Sequence, residues 1–141
     1  MSWFSKKKPQ QNPLETGMQL GVEIIDMQLR LAANSKDFYD RLHTDYALGY
    51  CFGIYQAALE VVEKGSISAE IYNKYIRTGF IRTFANENIG TRNFDYIRQR
   101  IQQPDCAVGR NDGAAEYVEF YNKKTTRGYA LVQFLLSGAS T

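Results

Sequence analysis

The chain contains few of the side chains that most often carry catalysis or bind metals. It has one histidine, His43, and two cysteines, Cys51 and Cys106, among 141 residues. Two cysteines do not form a disulfide framework, and their spacing does not match a zinc-site pattern. A di-iron site of the helical-bundle type needs two Glu-x-x-His motifs, so the single histidine argues against one. We therefore expect two free thiols and a cytoplasmic protein.

Cys51 and His43 cannot form a catalytic pair on one helix. Eight positions separate them, about 12 Å along a helix axis, and their side chains differ by about 80° in direction around it. A thiol within an apolar stretch also has a raised pKa, which makes it a poor nucleophile. Cys106 lies in a predicted loop near Arg110, and no base stands beside it in the sequence. We therefore predict no catalytic residue.

The chain also lacks a hydrophobic run long enough to cross a membrane. Its longest apolar stretch covers residues 46–59 and contains Gln56, whereas a spanning helix needs about 20 apolar residues. Near the N-terminus Lys6, Lys7 and Lys8 are not followed by a hydrophobic region, so the pattern of a signal peptide is missing. We expect residues 1–13 to be a flexible basic leader and residues 14–141 to form a single domain.

Helical periodicity covers most of the remaining sequence. In the first segment, apolar residues recur at positions 18, 22, 25 and 29, which is typical of an amphipathic helix, and no alternating run indicates a strand. We predict an all-α fold, a compact bundle of five or six helices. Its central apolar helix covers about residues 35–64 and ends at Gly65. Ser66 or Ser68, Thr91 and Asp112 are the predicted N-caps of later helices. The stretch "PDCAVGRNDG", residues 104–113, is predicted to be a loop, and the last helical region has a break near residues 125–128.

Small residues form a stripe on the predicted central helix. Gly49, Gly53 and Ala57 are four positions apart, which places them on one face. Glycine inside a helix costs about 1 kcal/mol relative to alanine, and close approach of another helix is the usual compensation. That helix belongs either to the same chain or to a second copy. Because two-fold dimers are the commonest soluble assemblies, we expect a homodimer.

Acidic pairs on the predicted helices offer an alternative function. Glu23 with Asp26 and Glu60 with Glu63 are three positions apart, so each pair can present two carboxylates on one helix face. Magnesium prefers oxygen ligands and keeps waters for a phosphate substrate. If both pairs met in one cleft, the chain would be a magnesium-dependent phosphohydrolase of the all-α type. The same residues also serve as the ordinary polar stripes of two surface helices.

Basic residues concentrate between positions 74 and 110 and suggest a second alternative. Tyrosine and phenylalanine are interleaved with them, and such a surface can contact phosphates and stack on bases. The residues expected to bind nucleic acid are Arg77, Arg82, Arg98 and Arg100. The sequence pI of about 8.5 is low for a nucleic-acid-binding domain. The leading hypothesis is therefore a non-catalytic binding or scaffolding protein that acts as a homodimer.

Overall fold

A computed structural model describes residues 12–63, 67–123 and 129–137. These ranges contain seven α-helices and no strand, which confirms the all-α bundle, with one helix more than the predicted upper number. The helices are α1 (Pro13–Ala32), α2 (Phe38–Leu42), α3 (Asp45–Glu63), α4 (Ala69–Phe84), α5 (Glu87–Arg98), α6 (Pro104–Tyr121) and α7 (Ala130–Ser137). None of these helices is long and apolar enough to cross a membrane.

The start of α1 lies at the edge of the predicted leader. Pro13 is its first residue, and the side chain of Asn12 accepts a hydrogen bond from the backbone N–H of Leu14 at 2.8 Å. Proline is favoured at the first helical position, where its missing N–H leaves no hydrogen bond unmade. Pro13 therefore belongs to the helix rather than to the leader, whose residues 1–11 lie outside the described ranges.

The helix predicted over residues 35–64 is two helices. The chain leaves the helical conformation after Leu42, and Thr44 sits at the junction. Its hydroxyl donates to the carbonyl of Arg41 at 2.7 Å and accepts from the N–H of Ala47 at 3.4 Å. A threonine in this position begins a helix, so the prediction of one continuous helix was wrong. The predicted terminator Gly65 lies outside the described ranges.

The first half of α6 corrects the predicted loop. Residues 104–113 are helical, so Asp112 lies inside α6 and does not cap a helix. Pro104 is the first residue of α6, a position that tolerates proline. The two glycines of this stretch face α3 at a distance that no other residue would allow. Packing against α3 thus outweighs the low helix propensity of the stretch.

The predicted N-cap of α4 is confirmed, and the predicted N-cap of α5 is wrong. Ser68 caps α4 by accepting from the N–H of Ile71 at 3.2 Å, as expected, whereas the alternative cap Ser66 lies outside the described ranges. Asn86, and not Thr91, caps α5 by accepting from the N–H of Ile89 at 2.8 Å. Helix α6 ends at Tyr121 and α7 begins at Ala130, and the break predicted near residues 125–128 lies outside the described ranges.

Helix α3 is the centre of the described bundle. Thirteen of its nineteen residues are buried, and it contacts each of the other six described helices. Its most extensive contact is with α6, whereas α4 packs mainly on α5, and α7 packs on α1 and α2. The apolar run noted in the sequence is therefore the core of the fold.

Candidate interaction surface

Helices α3 and α6 cross in backbone contact. A Cβ atom at Gly49 would lie 2.5 Å from the carbonyl oxygen of Cys106, and one at Gly53 would lie 2.1 Å from that of Arg110. Four positions along α3, from Gly49 to Gly53, correspond to four positions along α6, from Cys106 to Arg110. The two helices therefore run in the same direction. From the other side, Cβ atoms at Gly109 and Gly113 would lie 2.2 Å from the carbonyl oxygens of Tyr46 and Tyr50 respectively. Glycines on both helices therefore make the contact possible.

This crossing shows what the small-residue stripe faces. Gly49 and Gly53 face α6 of the same chain, and Ala57, one turn further along α3, is buried at 3% exposure. A second copy of the chain cannot lie against the two glycines while α6 is in place. The stripe therefore does not supply the surface of a homodimer.

A buried polar network joins four helices beside this crossing. Tyr50 of α3 donates to Glu116 of α6 at 2.5 Å, and the side-chain amide of Gln28 on α1 donates to the Tyr50 oxygen at 2.8 Å. The second carboxylate oxygen of Glu116 accepts from the backbone N–H of Ala130 at 3.0 Å, and Gln28 Oε1 accepts from the N–H of Val132 at 3.0 Å. The network fixes α7 against α1, α3 and α6.

The carboxyl group of Glu116 is the central acceptor of this network. Burial raises its pKa above the ordinary value, and the hydrogen bonds from Tyr50 and Ala130 oppose that shift. A second tyrosine–carboxylate contact lies one turn before it, where Tyr46 donates to Asp112 at 2.7 Å. The role of Glu116 was not predicted from the sequence. The signal available was Tyr46 and Tyr50 on α3, whose spacing of four matches that of Asp112 and Glu116.

Neither thiol is placed for nucleophilic chemistry. Cys51 and Cys106 are free and fully buried. Burial raises the pKa of Cys51 to about 12 and also raises the pKa of Cys106, so both are protonated near neutral pH. His43 lies between α2 and α3, with Nδ1 2.9 Å from the carbonyl oxygen of Tyr39. Its ring packs at a tilted angle against those of Tyr39 and Phe84, at centroid distances of 4.3 and 5.4 Å.

The four candidate magnesium ligands do not form one cluster. Among the residues that the structure describes, no group of three or more His, Cys, Asp and Glu side chains is placed to hold a metal ion. Glu23 accepts from the amide of Gln19 at 3.3 Å, and Asp26 forms an ion pair with Arg30 on the same helix. Glu60 and Glu63 are exposed on α3. These contacts are those of solvated helix faces.

The four candidate nucleic-acid residues lie on or just after α4 and α5. Three have acidic partners: Arg82 pairs with Glu15 at 3.1 Å, Arg98 with Asp95 at 3.8 Å, and Arg100 with Asp45 at 2.8 Å. Arg100 lowers the pKa of Asp45 chiefly through its hydrogen bonds to that carboxylate. Arg77 is exposed on α4. Much of the positive charge is thus balanced within the chain.

A groove lies between α1, α6 and the end of α3. Its volume is about 740 Å³. Apolar and aromatic side chains form most of its lining, and polar residues of α1 complete it. The lining residues are Pro13, Thr16, Gly17, Gln19, Leu20, Glu23, Val62, Tyr117 and Tyr121.

Gly17 allows the walls of this groove to come together. A Cβ atom there would lie 2.8 Å from Cγ2 of Val62 and 3.2 Å from the hydroxyl of Tyr117. Tyr117 also donates to the carbonyl oxygen of Gly17 at 2.9 Å, and its ring stacks with that of Tyr121 at a centroid distance of 6.1 Å. Tyr121 is 44% exposed. The groove therefore presents an aromatic wall to solvent.

The groove was not predicted from the sequence. Its residues come from segments about 40 to 100 positions apart, and each looks like ordinary core or surface within its own helix. No family model matches the chain, and no curated protein or solved structure matches it either.

Proposed function

We propose that this chain is a non-catalytic binding protein whose groove between α1, α3 and α6 accepts an amphipathic helix of a partner protein. One observation carries the proposal: an open, largely apolar concavity of about 740 Å³ with an exposed tyrosine on its wall. Exposed apolar concavities of this size are typical of binding sites. Recognition of a partner's helix in an apolar groove is a recurring mode of protein binding.

The length of the groove favours a helix as its occupant. Pro13 and Glu23 both line it, and ten positions along α1 correspond to about 15 Å. That length matches about three turns of a partner helix, whose apolar side chains would lie over Leu20, Val62 and Tyr121. Gln19 and Glu23 remain at the polar edge, where the partner's own polar side chains would meet them.

The two thiols and the carboxyl group of Glu116 are buried within the fold, which supports binding over catalysis. Both thiols are buried and protonated, and the buried carboxylate of Glu116 holds the backbone of α7. We place this function in the cytoplasm because free thiols persist in a reducing compartment. The homodimer expected from the sequence is a separate part of the proposal. The mass of the chain in solution tests it.

A peptide selection tests the groove. Full-length protein is used to select binders from a phage-displayed library of helical peptides, and the selected peptides are titrated into three forms of the protein. Tyr121→Ser removes the exposed ring from the groove wall. Tyr39→Ser is the matched control, because Tyr39 is 61% exposed on α2 and does not line the groove.

We expect the selected peptides to be amphipathic, and we expect Tyr121→Ser to lower their affinity about tenfold or more. An aromatic anchor is a typical hot spot, whose removal costs about 2 kcal/mol or more of binding free energy. Tyr39→Ser should bind as the unmodified chain does. Failure to select any peptide, or equal binding by all three forms, would contradict the proposed function.

A further inference from the structure

Helices α1 and α6 form the long walls of the groove and run in opposite directions. A Cβ atom at Gly17 would lie 2.8 Å from Cγ2 of Val62, and a Cβ atom at Gly21 would lie 2.8 Å from Cγ2 of Ile54. The order of these contacts shows that α1 and α3 run in opposite directions. Since α6 has the direction of α3, it also opposes α1. Tyr117 of α6 donates to the carbonyl oxygen of Gly17 at 2.9 Å, which fixes where the two walls stand level.

The groove consequently has an aromatic end and an acidic end. Tyr121 lies four positions beyond Tyr117, which is about 6 Å of helix towards the start of α1. Glu23 lies six positions beyond Gly17, which is about 9 Å of helix in the other direction. Both residues line the groove. Their positions on the two walls are therefore about 15 Å apart along the groove.

Glu23 gives the groove its charge. The other eight lining residues are uncharged, and the carboxylate of Glu23 accepts from the neutral amide of Gln19 at 3.3 Å. Among the residues that the structure describes, no cation forms an ion pair with Glu23, whereas Asp26 on the same helix pairs with Arg30. A carboxylate can accept about four hydrogen bonds, so that of Glu23 has capacity left for a partner.

The carboxylate of Glu23 restricts which helices can cover the groove. A covering helix removes water from this charge, and a charge that loses water without gaining a partner is costly. A cationic side chain of the partner offsets that cost. Arginine does so better than lysine, because its guanidinium donates two hydrogen bonds to one carboxylate. An acidic side chain at the same place would add repulsion. The groove therefore selects its occupant by charge as well as by shape.

We propose that the helix accepted by the groove is basic and amphipathic, with an arginine or lysine that pairs with Glu23 and a large apolar residue that packs on Tyr121. This inference rests on the proposed function and specifies the partner. The separation of about 15 Å corresponds to about ten positions of a helix. Spacings of about seven and eleven positions return to the same helix face, and the long basic side chain spans the difference. The cation thus lies about seven to eleven positions from the apolar anchor.

Two parallel selections test the charge of the occupant. The full chain and its Glu23→Lys variant each select binders from the same phage-displayed library of helical peptides. We expect peptides selected by the unmodified chain to carry arginine or lysine at the stated spacing from a large apolar residue. Peptides selected by Glu23→Lys should carry aspartate or glutamate there.

Glu119→Lys is the matched control for Glu23→Lys. It makes the same change of charge at an exposed position of α6 that does not line the groove. This variant should select the same basic peptides as the unmodified chain does.

Titration of one selected peptide measures the pairing directly. The basic peptide, and a form with glutamate in place of its basic residue, are each titrated into the unmodified chain, Glu23→Lys and Glu119→Lys. We expect the acidic form with the unmodified chain, and the basic form with Glu23→Lys, to bind about tenfold or more weakly than the matched pair. The acidic form with Glu23→Lys should recover to within about threefold of that pair.

The outcomes separate this inference from the proposed function. Peptides that lose affinity with Tyr121→Ser but bind Glu23→Lys equally well, or carry no basic residue at the stated spacing, would overturn the charge inference and leave the groove function in place. Peptides that respond equally to Glu23→Lys and Glu119→Lys, and not to Tyr121→Ser, would show attraction to an acidic surface and contradict both. If the unmodified chain selects no peptide, the groove function fails and this inference fails with it.

Discussion

Tyr50 on α3 donates a hydrogen bond of 2.5 Å to Glu116 on α6, beside the point where the backbones of the two helices touch. The glycines of the crossing bring the helices close enough for this contact, and the carboxylate then holds the first N–H of α7. One relationship thus links the central packing of the bundle to the position of its last helix.

The backbone contact between α3 and α6 predicts that one added methyl group at this contact strongly destabilises the fold. Gly53→Ala would place Cβ 2.1 Å from the carbonyl oxygen of Arg110, and a backbone atom cannot rotate away. We expect the free energy of unfolding to fall by about 1–3 kcal/mol, although alanine is the better helix former. Urea denaturation followed by circular dichroism measures the change.

Gly17→Ala is the matched control for that substitution. The nearest atoms to its new Cβ belong to the side chains of Val62 and Tyr117, which can move. The gain in helix propensity of about 1 kcal/mol should offset most of the cost. If both variants had the same stability, the claim of a backbone contact at Gly53 would be wrong.

The hydroxyl of Tyr50 should contribute more to the free energy of unfolding than the hydroxyl of an exposed tyrosine. Tyr50→Phe leaves a buried N–H of Gln28 without its acceptor and removes a donor from Glu116. Buried polar groups left unpaired cost about 1–3 kcal/mol. Tyr96→Phe is the control, because Tyr96 is 45% exposed and donates to Asp45, which Arg100 also holds. Its unfolding free energy should change by no more than about 0.5 kcal/mol, and a similar loss in both variants would speak against the network.

Glu116 should make stability depend on pH in a defined direction. Burial raises its pKa in the folded chain above the ordinary value of 4.5, so the folded state keeps the proton while the unfolded state loses it. Stability from this group is therefore fully present below pH 4.5 and falls as pH rises through the raised pKa.

Comparison with Glu116→Gln isolates this effect from the other carboxyl groups. The unfolding free energy of the unmodified chain minus that of Glu116→Gln should decrease as pH rises from about 4, and become constant once Glu116 is ionised in both states. Equilibrium denaturation at a series of pH values gives the difference. A difference that is flat, or that grows with pH, would show that the pKa of Glu116 is not raised.

The ion pairs of the arginine-rich segment predict weak interaction with nucleic acid. Arg82, Arg98 and Arg100 each have an acidic partner, so fewer charges are free to release counterions from phosphates. We expect no retention of mixed-sequence RNA or DNA by the full chain at low salt. Retention that falls steeply with salt and is lost in Arg77→Ala combined with Arg98→Ala would instead favour a nucleic-acid-binding function.

The sequence predicts those parts of the fold for which the residues of a single helix are sufficient evidence. The apolar run of α3 is dense enough to indicate a buried helix without knowledge of its neighbours, and Ser68 caps α4 as a local rule expects. Residues 104–113 could not be assigned in this way. Their proline, glycines, asparagine and aspartates are typical of loops, and they are helical because Gly109 and Gly113 pack on α3.

The interaction surface depends on relationships that local patterns do not contain. Glu116 looks like half of an exposed acidic pair with Glu119, and only the distant Gln28, Tyr50 and Ala130 show that it is buried. The walls of the groove likewise meet because Gly17 has no side chain beside Val62 and Tyr117. Such contacts follow from tertiary packing, so sequence periodicity identifies the helices and not the surface between them.

The most direct test of the account is to map a selected peptide onto the full chain by NMR chemical-shift perturbation. The account predicts shifts concentrated on the methyl groups of Leu20 and Val62 and on the ring of Tyr121, with little change at Tyr39. Shifts confined to another surface, or saturation without any change at these groove residues, would contradict the proposal that the groove is the binding site.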